Sequence, residues 1–184
     1  MLKLTYEYKL KPTGEQVQEI ERTLDICRQI WNYALRERKD WINSRKCRID
    51  ACSIISEFII PADTQYPNYA LQCKSLTQAK EQYPELKTVN AQMLQQVLRR
   101  LETAFVDMQR KGMGFPRFKN RVRMRSFVFP QMLKNCIKGI FIKLPQLGVV
   151  EFIKSRDIPD GFVIKQARIE RKSIRVLYHA WFRV

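Results

Sequence analysis

Histidine, acidic residues and closely spaced cysteines are scarce in this sequence of 184 residues. The chain has one histidine and five scattered cysteines, with no Cys-x-x-Cys pair. Because zinc fingers need clustered cysteine and histidine ligands, the sequence excludes that class of protein. An odd number of cysteines without an export signal also argues against a disulfide framework, so we expect reduced thiols that are mostly buried.

Long hydrophobic runs and glycine-rich motifs are missing as well. Uncharged stretches such as 58–62 are far shorter than the roughly 18 apolar residues that a membrane span needs. The sequence has no glycine-rich phosphate loop and no nucleophile elbow. We therefore expect a cytoplasmic, nucleoid-associated protein with no membrane partner and no small-molecule substrate.

Positive charge is abundant and unevenly distributed. The chain has 34 Lys and Arg against 18 Asp and Glu, a formal net charge of +16. Residues 1–107 hold 16 basic and 14 acidic residues, whereas residues 108–125 hold seven basic and none acidic, and residues 126–184 hold 11 and four. A folded domain with this excess favours a polyanionic partner, and nucleic acid is the leading candidate.

The hydrophobic pattern predicts an α+β fold. Alternating apolar residues over 2–10 indicate a strand with one buried face, and helical spacing follows from a Thr13–Gln16 capping box through 38. Further helices are predicted over 50–60, 70–82 and 90–110, the last with Asn90 or Thr88 as its candidate cap and with Gly112 and Gly114 at its end. Strand patterns return at 127–129, 137–144, 148–153, 162–170 and 173–184.

The first strand is separated from the other strands by about 120 residues of helix. Because a lone strand cannot bury its face, we expect it to pair with the C-terminal strands. The simplest architecture is a small, wedge-like β-barrel assembled from strand 2–10 and residues 126–184, with the helical bundle inserted between them.

The segment 110–125 is the most distinctive chemical feature of the sequence. Guanidinium and ammonium groups neutralise phosphates, and aromatic faces support bases, so this composition favours contact with a nucleic-acid backbone. The alternative is a solvated linker whose aromatic residues anchor it to the core. The candidate backbone contacts are Arg110, Lys111, Arg117, Lys119, Arg121, Arg123 and Arg125, and the candidate stacking residues are Phe115 and Phe118.

A second set of polar residues lies on the predicted helix after Asn90. Gln92, Gln95 and Gln96 share one helical face, and glutamine amides can hydrogen-bond base edges. We therefore interpret these glutamines as candidate base-reading or motif-reading residues. The alternative is an ordinary solvated helix face, since glutamine is a common exposed helix former.

Catalytic chemistry has little support in the sequence. Two-metal cleavage of a phosphodiester needs converging carboxylates, and the basic half offers only Glu151, Asp157, Asp160 and Glu170. Asp157 and Asp160 lie beside a Pro-Asp-Gly turn, and His179 lies on a strand with no evident partner. We predict no catalytic residue, no metal ligand and no cofactor for this chain.

Several separated segments resemble, in order, the TnpB/OrfB proteins, which are transposon-encoded RNA-guided nucleases related to type V CRISPR effectors. The resemblance covers essentially the whole chain. Each segment alone is a weak signal, but their occurrence in the order of the family makes the resemblance specific. The segments are Tyr8–Gln16, Cys27–Leu35, Tyr83–Lys87, Leu94–Leu98 with Leu101–Phe105, Gly114–Lys119, Ser126–Phe127 and Lys143–Gly148.

The resemblance implies a domain organisation and a set of partners. Residues 1–12 and 115–184 would form the wedge domain and residues 13–114 the helical recognition domain. In such proteins these parts bind guide RNA and double-stranded target DNA and read the transposon-adjacent motif, and the helix with the Leu-Gln-Gln segment lies at that DNA.

The resemblance also implies where cleavage would occur. The nuclease domain of the family, with its magnesium-binding carboxylates, would begin after the last strand, and we expect it to be absent from this chain. Two alternatives remain: a stand-alone, non-catalytic RNA- or DNA-binding regulator, and an enzyme whose catalytic half follows Val184.

Overall fold

A computed structural model describes residues 4–46, 60–158, 163–173 and 177–183. These residues form three α-helices and one antiparallel sheet of seven strands, which confirms the α+β class. The helix predicted over 50–60 lies almost entirely outside the described residues. The helices are α1 (Gly14–Lys46), α2 (Tyr69–Gln82) and α3 (Ala91–Lys111), and the strands are β1 (Thr5–Lys11), β2 (Ser126–Phe129), β3 (Ile137–Lys138), β4 (Phe141–Leu144), β5 (Gly148–Ile153), β6 (Gln166–Ser173) and β7 (Leu177–Arg183).

Local sequence signals define the ends of the helices. At the start of α1, the Thr13 amide donates to Gln16 Oε1 at 3.1 Å and the Gln16 amide donates to Thr13 Oγ1 at 3.4 Å, which is the predicted capping box. The Asn90 side chain accepts from the Gln92 amide at the start of α3. Helix α3 ends at Gly112, whose φ of 64° is the left-handed conformation that glycine adopts without strain.

The strand order in the sheet is β2-β6-β7-β1-β5-β4-β3. Strand β1 therefore lies in the middle, pairing with β7 through Tyr8 and Ala180 and with β5 through Leu10 and Phe152. This confirms that the isolated first strand finds its partners far along the chain. Alternate residues of β1, such as Tyr8 and Leu10, are buried on the inner face, where one continuous core joins the sheet to the helices.

Closure of the sheet into a barrel is not confirmed. Strands β2 and β3 are the two ends of the sheet, and no ladder joins them within the described residues. The end strand β2 packs against α3 and α1. The predicted strand over 137–144 is also wrong in one respect, because Gly139, with a φ of 60°, reverses the chain and divides it into β3 and β4.

A buried arginine connects the three helices. Arg38 of α1 is fully buried, and its Nε donates to Oε1 of Gln72 on α2 at 3.0 Å. Its Nη2 lies 2.6 Å from Oε2 of Glu102 on α3, and its guanidinium carbon lies 5.1 Å from the centroid of the Phe105 ring. Because the Arg38 guanidinium is shielded from water, Gln72, Glu102 and Phe105 compensate its charge, and this fixes the position of the side chain between the helices.

Candidate nucleic-acid interface

The basic segment, residues 110–125, runs from the end of α3 to β2 and is held by two adjacent residues of α1. The Asn32 amide nitrogen donates to the Lys119 carbonyl at 2.9 Å, and Asn32 Oδ1 accepts from the Lys119 amide at 2.8 Å. Trp31 Nε1 donates to the Arg117 carbonyl at 3.1 Å. These three bonds fix the middle of the segment on the helix, so its side chains project from a defined backbone.

The arginines of the basic segment project mainly into solvent. Arg110, Arg117 and Arg123 are exposed, and their guanidinium groups form no ion pair within the described residues. Lys111 pairs with Asp107 at 2.8 Å in the last turn of α3. Arg125 Nε donates to the Val122 carbonyl at 2.8 Å, which bends this side chain back along its own loop. Exposed cations without acidic partners are the groups that a phosphate backbone can contact.

Lys119 differs from its neighbours because it points inward. Its Nζ lies 3.5 Å from the centroid of the Trp31 ring, a cation–π contact that favours the charged form. Burial of the ammonium group, followed by the nearby charge of Arg100 and then by Arg168, lowers the pKa of Lys119 to about 8, although Cys27 acts in the opposite direction. The structure therefore separates Lys119 from the outward arginines with which the sequence grouped it.

The two phenylalanines of the segment are half exposed. Phe115 is 41% exposed and packs edge to face against Phe105 of α3, with ring centroids 5.4 Å apart. Phe118 is 42% exposed, and the Lys39 ammonium lies 5.7 Å from its ring centroid. Each ring thus has one face or edge on the protein and another available to solvent, so both the anchoring and the stacking interpretations fit their positions.

The predicted glutamines lie along the outer side of α3. Gln95 is exposed, Gln96 is partly buried, and Gln92 donates from Nε2 to Gln131 Oε1 at 3.0 Å. The other side of the helix carries buried residues such as Met93 and Leu94. The helix therefore presents amide groups on the side opposite its core, although the basic segment begins at its far end.

The carboxylates of the basic half are dispersed and paired with cations. Glu151 lies 2.9 Å from Lys11, Asp157 lies 2.5 Å from Lys154, and Glu170 lies 3.3 Å from Arg168. Asp160 lies outside the described residues. In the part of the chain that the structure describes, no three histidine, cysteine, aspartate or glutamate side chains come together as a metal site.

His179 has a partner that the sequence did not reveal. Its Nδ1 lies 2.7 Å from Glu7 Oε1, across the pair formed by β7 and β1. The same carboxylate lies 3.0 Å from Lys172 Nζ. The histidine is part of a charged cluster on the outer face of the sheet.

Sequence reasoning did not identify the residues that support the segment. Trp31 and Asn32 lie in the segment Cys27–Leu35, which carries part of the family resemblance, but the sequence did not predict their contacts with residues 117 and 119. Arg100 of α3 also contributes, because its Nη1 donates to the Ser126 carbonyl at 3.1 Å where the segment enters β2. A polar Asn beside a Trp on the apolar stripe of α1 is the signal that could have indicated an anchor.

Two other properties of the described residues bear on the site. The cysteines within them, Cys27, Cys73 and Cys136, form no disulfide, and burial raises the pKa of Cys27 to about 12, so this thiol is neutral near pH 7.

No helix in the described ranges has the length and apolar character needed to cross a membrane.

Comparisons with known proteins point to one family. A family model of the OrfB proteins, described as a helix-turn-helix domain, matches residues 1–47. In this structure the described part of that segment is β1 followed by one uninterrupted helix, α1. The chain is 30% identical over 153 residues to InsQ of Escherichia coli (strain K12), a protein named for RNA-guided DNA endonuclease activity, and these residues are 83% of this chain and 34% of InsQ.

A similarly named protein of Streptomyces pristinaespiralis is also 30% identical, over 128 residues. That match covers 68% of this chain and 27% of the relative. The chain thus spans about a third of the length of the two relatives.

Proposed function

The chain is a relative of the TnpB/OrfB proteins, and on that premise we propose that it forms the nucleic-acid-binding part of an RNA-guided DNA endonuclease. In this proposal the chain binds a guide RNA and double-stranded target DNA and takes part in reading the transposon-adjacent motif. The proposed wedge domain comprises residues 1–12 and 115–184, and the proposed recognition domain comprises residues 13–114.

The observation that carries the proposal is the basic segment held on α1. Its backbone is fixed by Asn32 and Trp31, while Arg117 and Arg123 remain exposed and without acidic partners in the described residues. A fixed array of cations loses less conformational entropy on binding than a free loop. This arrangement suits contact with the phosphate backbone of a nucleic acid, which depends on the shape of the backbone and not on the base sequence.

The proposed division of roles follows from side-chain chemistry. The arginines and lysines at 110, 111, 117, 121, 123 and 125 neutralise phosphates, and Lys119 chiefly supports the segment from within. Gln92, Gln95 and Gln96 are candidates for contact with base edges, and Phe115 and Phe118 are candidates for stacking. The proposal assigns no cleavage step to the described residues.

The salt dependence of RNA binding tests the role of the basic segment. We expect log K for a single-stranded RNA to fall steeply with log salt, and the pair Arg117→Gln and Arg123→Gln to flatten the slope by about 1.4, at about 0.7 per phosphate. The matched control is the pair Lys74→Gln and Lys138→Gln, which removes two exposed charges elsewhere. Equal slopes for the two double variants would show that the segment is a solvated linker.

The role of Gln95 is tested with guide-loaded protein and two DNA duplexes. If Gln95 contacts a base edge, Gln95→Ala should weaken binding to the preferred motif by about 1–3 kcal/mol and leave binding to a scrambled motif nearly unchanged. Fluorescence anisotropy measures both affinities. An equal loss on the two duplexes would assign Gln95 to the structure of the helix surface instead.

A further inference from the structure

Beyond the basic segment, an arginine-lined groove lies between α1 and the end of that segment. We call it the arginine groove; its volume is about 290 Å³. Only Arg121 among its arginines belongs to the set predicted from the sequence. The charged residues that line it are Arg22, Arg28, Arg121 and Arg171 together with Glu21 and Asp25.

Two arginines form the wall of the groove and are held by its acids. Arg28 Nε and Nη2 each lie 2.9 Å from Asp25 Oδ1, and Gln29 donates to the other oxygen of this carboxylate. Arg171 Nη1 lies 2.5 Å from Glu21 Oε2, and Tyr178 donates to Oε1 at 2.7 Å. Each carboxylate is therefore occupied by an arginine and by a second donor.

The other two arginines lie at the mouth of the groove with weak partners. Arg22 Nε is 3.6 Å from Glu19 Oε2, and its side chain is 50% exposed. Arg121 Nε is 3.5 Å from Asp25 Oδ1, and its side chain is 83% exposed. Both distances exceed those of a good charge-assisted hydrogen bond, so both guanidinium groups retain free donors.

The acids of the groove do not compete strongly for these free donors. Burial raises the pKa of Asp25, but hydrogen bonds from Gln29 and Arg28, together with the charges of Arg28 and Arg121, outweigh it and lower the pKa overall. Asp25 thus stays ionised and committed to Arg28. Four guanidinium groups line the groove, and even with Glu19, the distant partner of Arg22, counted beside Glu21 and Asp25, one positive charge is in excess.

We propose that the arginine groove binds one backbone phosphate of a polynucleotide between Arg22 and Arg121. The guanidinium fork matches two phosphate oxygens, and Arg121 exchanges its long contact with Asp25 for this stronger pair. Because Arg121 is also part of the basic segment, the groove extends the cationic surface from that segment across α1 toward β6. This inference rests on the proposed function and adds a specific phosphate position to it.

The test compares two double variants for binding to a labelled 20-nucleotide RNA of mixed sequence. Arg22→Gln with Arg121→Gln should weaken binding at least about tenfold, as expected for lost charge-assisted hydrogen bonds. The slope of log K against log salt should flatten by about 0.7, because one phosphate contact is lost. Lys74→Gln with Lys138→Gln is the matched control, and thermal unfolding followed by circular dichroism verifies that both variants fold.

Arg22→Gln alone separates this inference from the role of the basic segment, to which Arg22 does not belong. It should lower affinity by severalfold in the same assay. If wild-type protein binds RNA with a steep salt dependence while both groove variants behave like the control, the groove is refuted and the proposed function stands. If wild-type protein binds neither RNA nor DNA, both are refuted.

Two further ligands identify the source of the phosphate. A DNA strand of the same sequence should show the same dependence on Arg22 and Arg121 if any polynucleotide backbone enters the groove. A dependence seen only with RNA would assign the phosphate to RNA, and it would equally support the site. Polyglutamate of equal charge should not compete, and competition that depends on Arg22 would overturn the proposal in favour of an acidic peptide.

Discussion

Replacing Asn32 by alanine should separate the support of the basic segment from its charge. The side chain forms two hydrogen bonds with the backbone of Lys119, one as donor at 2.9 Å and one as acceptor at 2.8 Å. A part-buried hydrogen bond contributes about 1 kcal/mol net, so the loss of both should lower the free energy of unfolding by about 2 kcal/mol. No charge changes, so an electrostatic explanation would not apply.

The same substitution should also weaken RNA binding. Without Asn32 the middle of the segment keeps the Trp31 bond to the Arg117 carbonyl, and Arg171 still bonds the carbonyls of Arg121 and Arg125 near its end. Binding must then order the backbone around Lys119, which the helix had already fixed. Ordering one residue costs about 1–2 kcal/mol, which corresponds to about a tenfold loss of affinity. The salt slope should change little, because the same cations reach the same phosphates.

Urea unfolding and fluorescence anisotropy with labelled RNA provide the two measurements. Asn43→Ala is a matched control, since it removes the same side chain from an exposed position of α1 that forms no side-chain hydrogen bond within the described residues. The reasoning would be refuted if Asn32→Ala resembled Asn43→Ala in both assays. A flattened salt slope with full stability would also contradict it, since it would mean that Asn32 acts on the charges themselves.

Two further predictions concern the core and pH. Arg38→Met should lower the free energy of unfolding by about 3 kcal/mol, because it leaves Gln72 and Glu102 without their cation. Urea unfolding measures this loss, and an effect below about 1 kcal/mol would contradict the role of Arg38 in joining the helices. Because the folded pKa of Lys119, about 8, lies below its ordinary value of 10.5, the folded state loses this proton first. Relative to Lys119→Met, stability should therefore rise as the pH increases from about 8 to about 10.5, and it should not change with pH below about 8, where the lysine is protonated in both states. Parallel profiles for the two proteins would refute the shifted pKa.

Elements set by neighbouring residues were predictable from the sequence. The capping box at Thr13, the Asn90 cap and the stop at Gly112 all depend on side chains within a few positions, and the structure has them where the pattern predicted. Closure of the barrel depends instead on whether β2 meets β3 across the whole sheet. No local pattern carries that information, because the two end strands are far apart in the chain and their relative position depends on the packing of the whole sheet.

The residue types of the candidate interface were predictable from the sequence, but the directions in which its side chains point were not. The run of cations from 110 to 125 is evident in the sequence, yet which cation points outward depends on where the backbone is fixed. Asn32 bonds both the N–H and the C=O of Lys119, and this pins the residue where its side chain turns onto Trp31. The periodicity of an irregular segment gives no means of predicting such a contact, and the partners lie 86 and 87 residues away in the chain.

The distribution of acids explains where a nucleic-acid surface can exist on this protein. The first 107 residues have nearly balanced charge, and α1 contributes Glu21 and Asp25, which pair with Arg171 and Arg28. Those pairs remove cations from the free surface, whereas most cations of the basic segment and those at the mouth of the arginine groove have weak partners or none within the described residues. Because unneutralised like charges repel one another, this surface lowers the stability of the free protein, and a bound polyanion relieves the repulsion. Binding and folding are thus coupled at the same arginines, so a polynucleotide should raise the melting temperature more at low salt than at high salt.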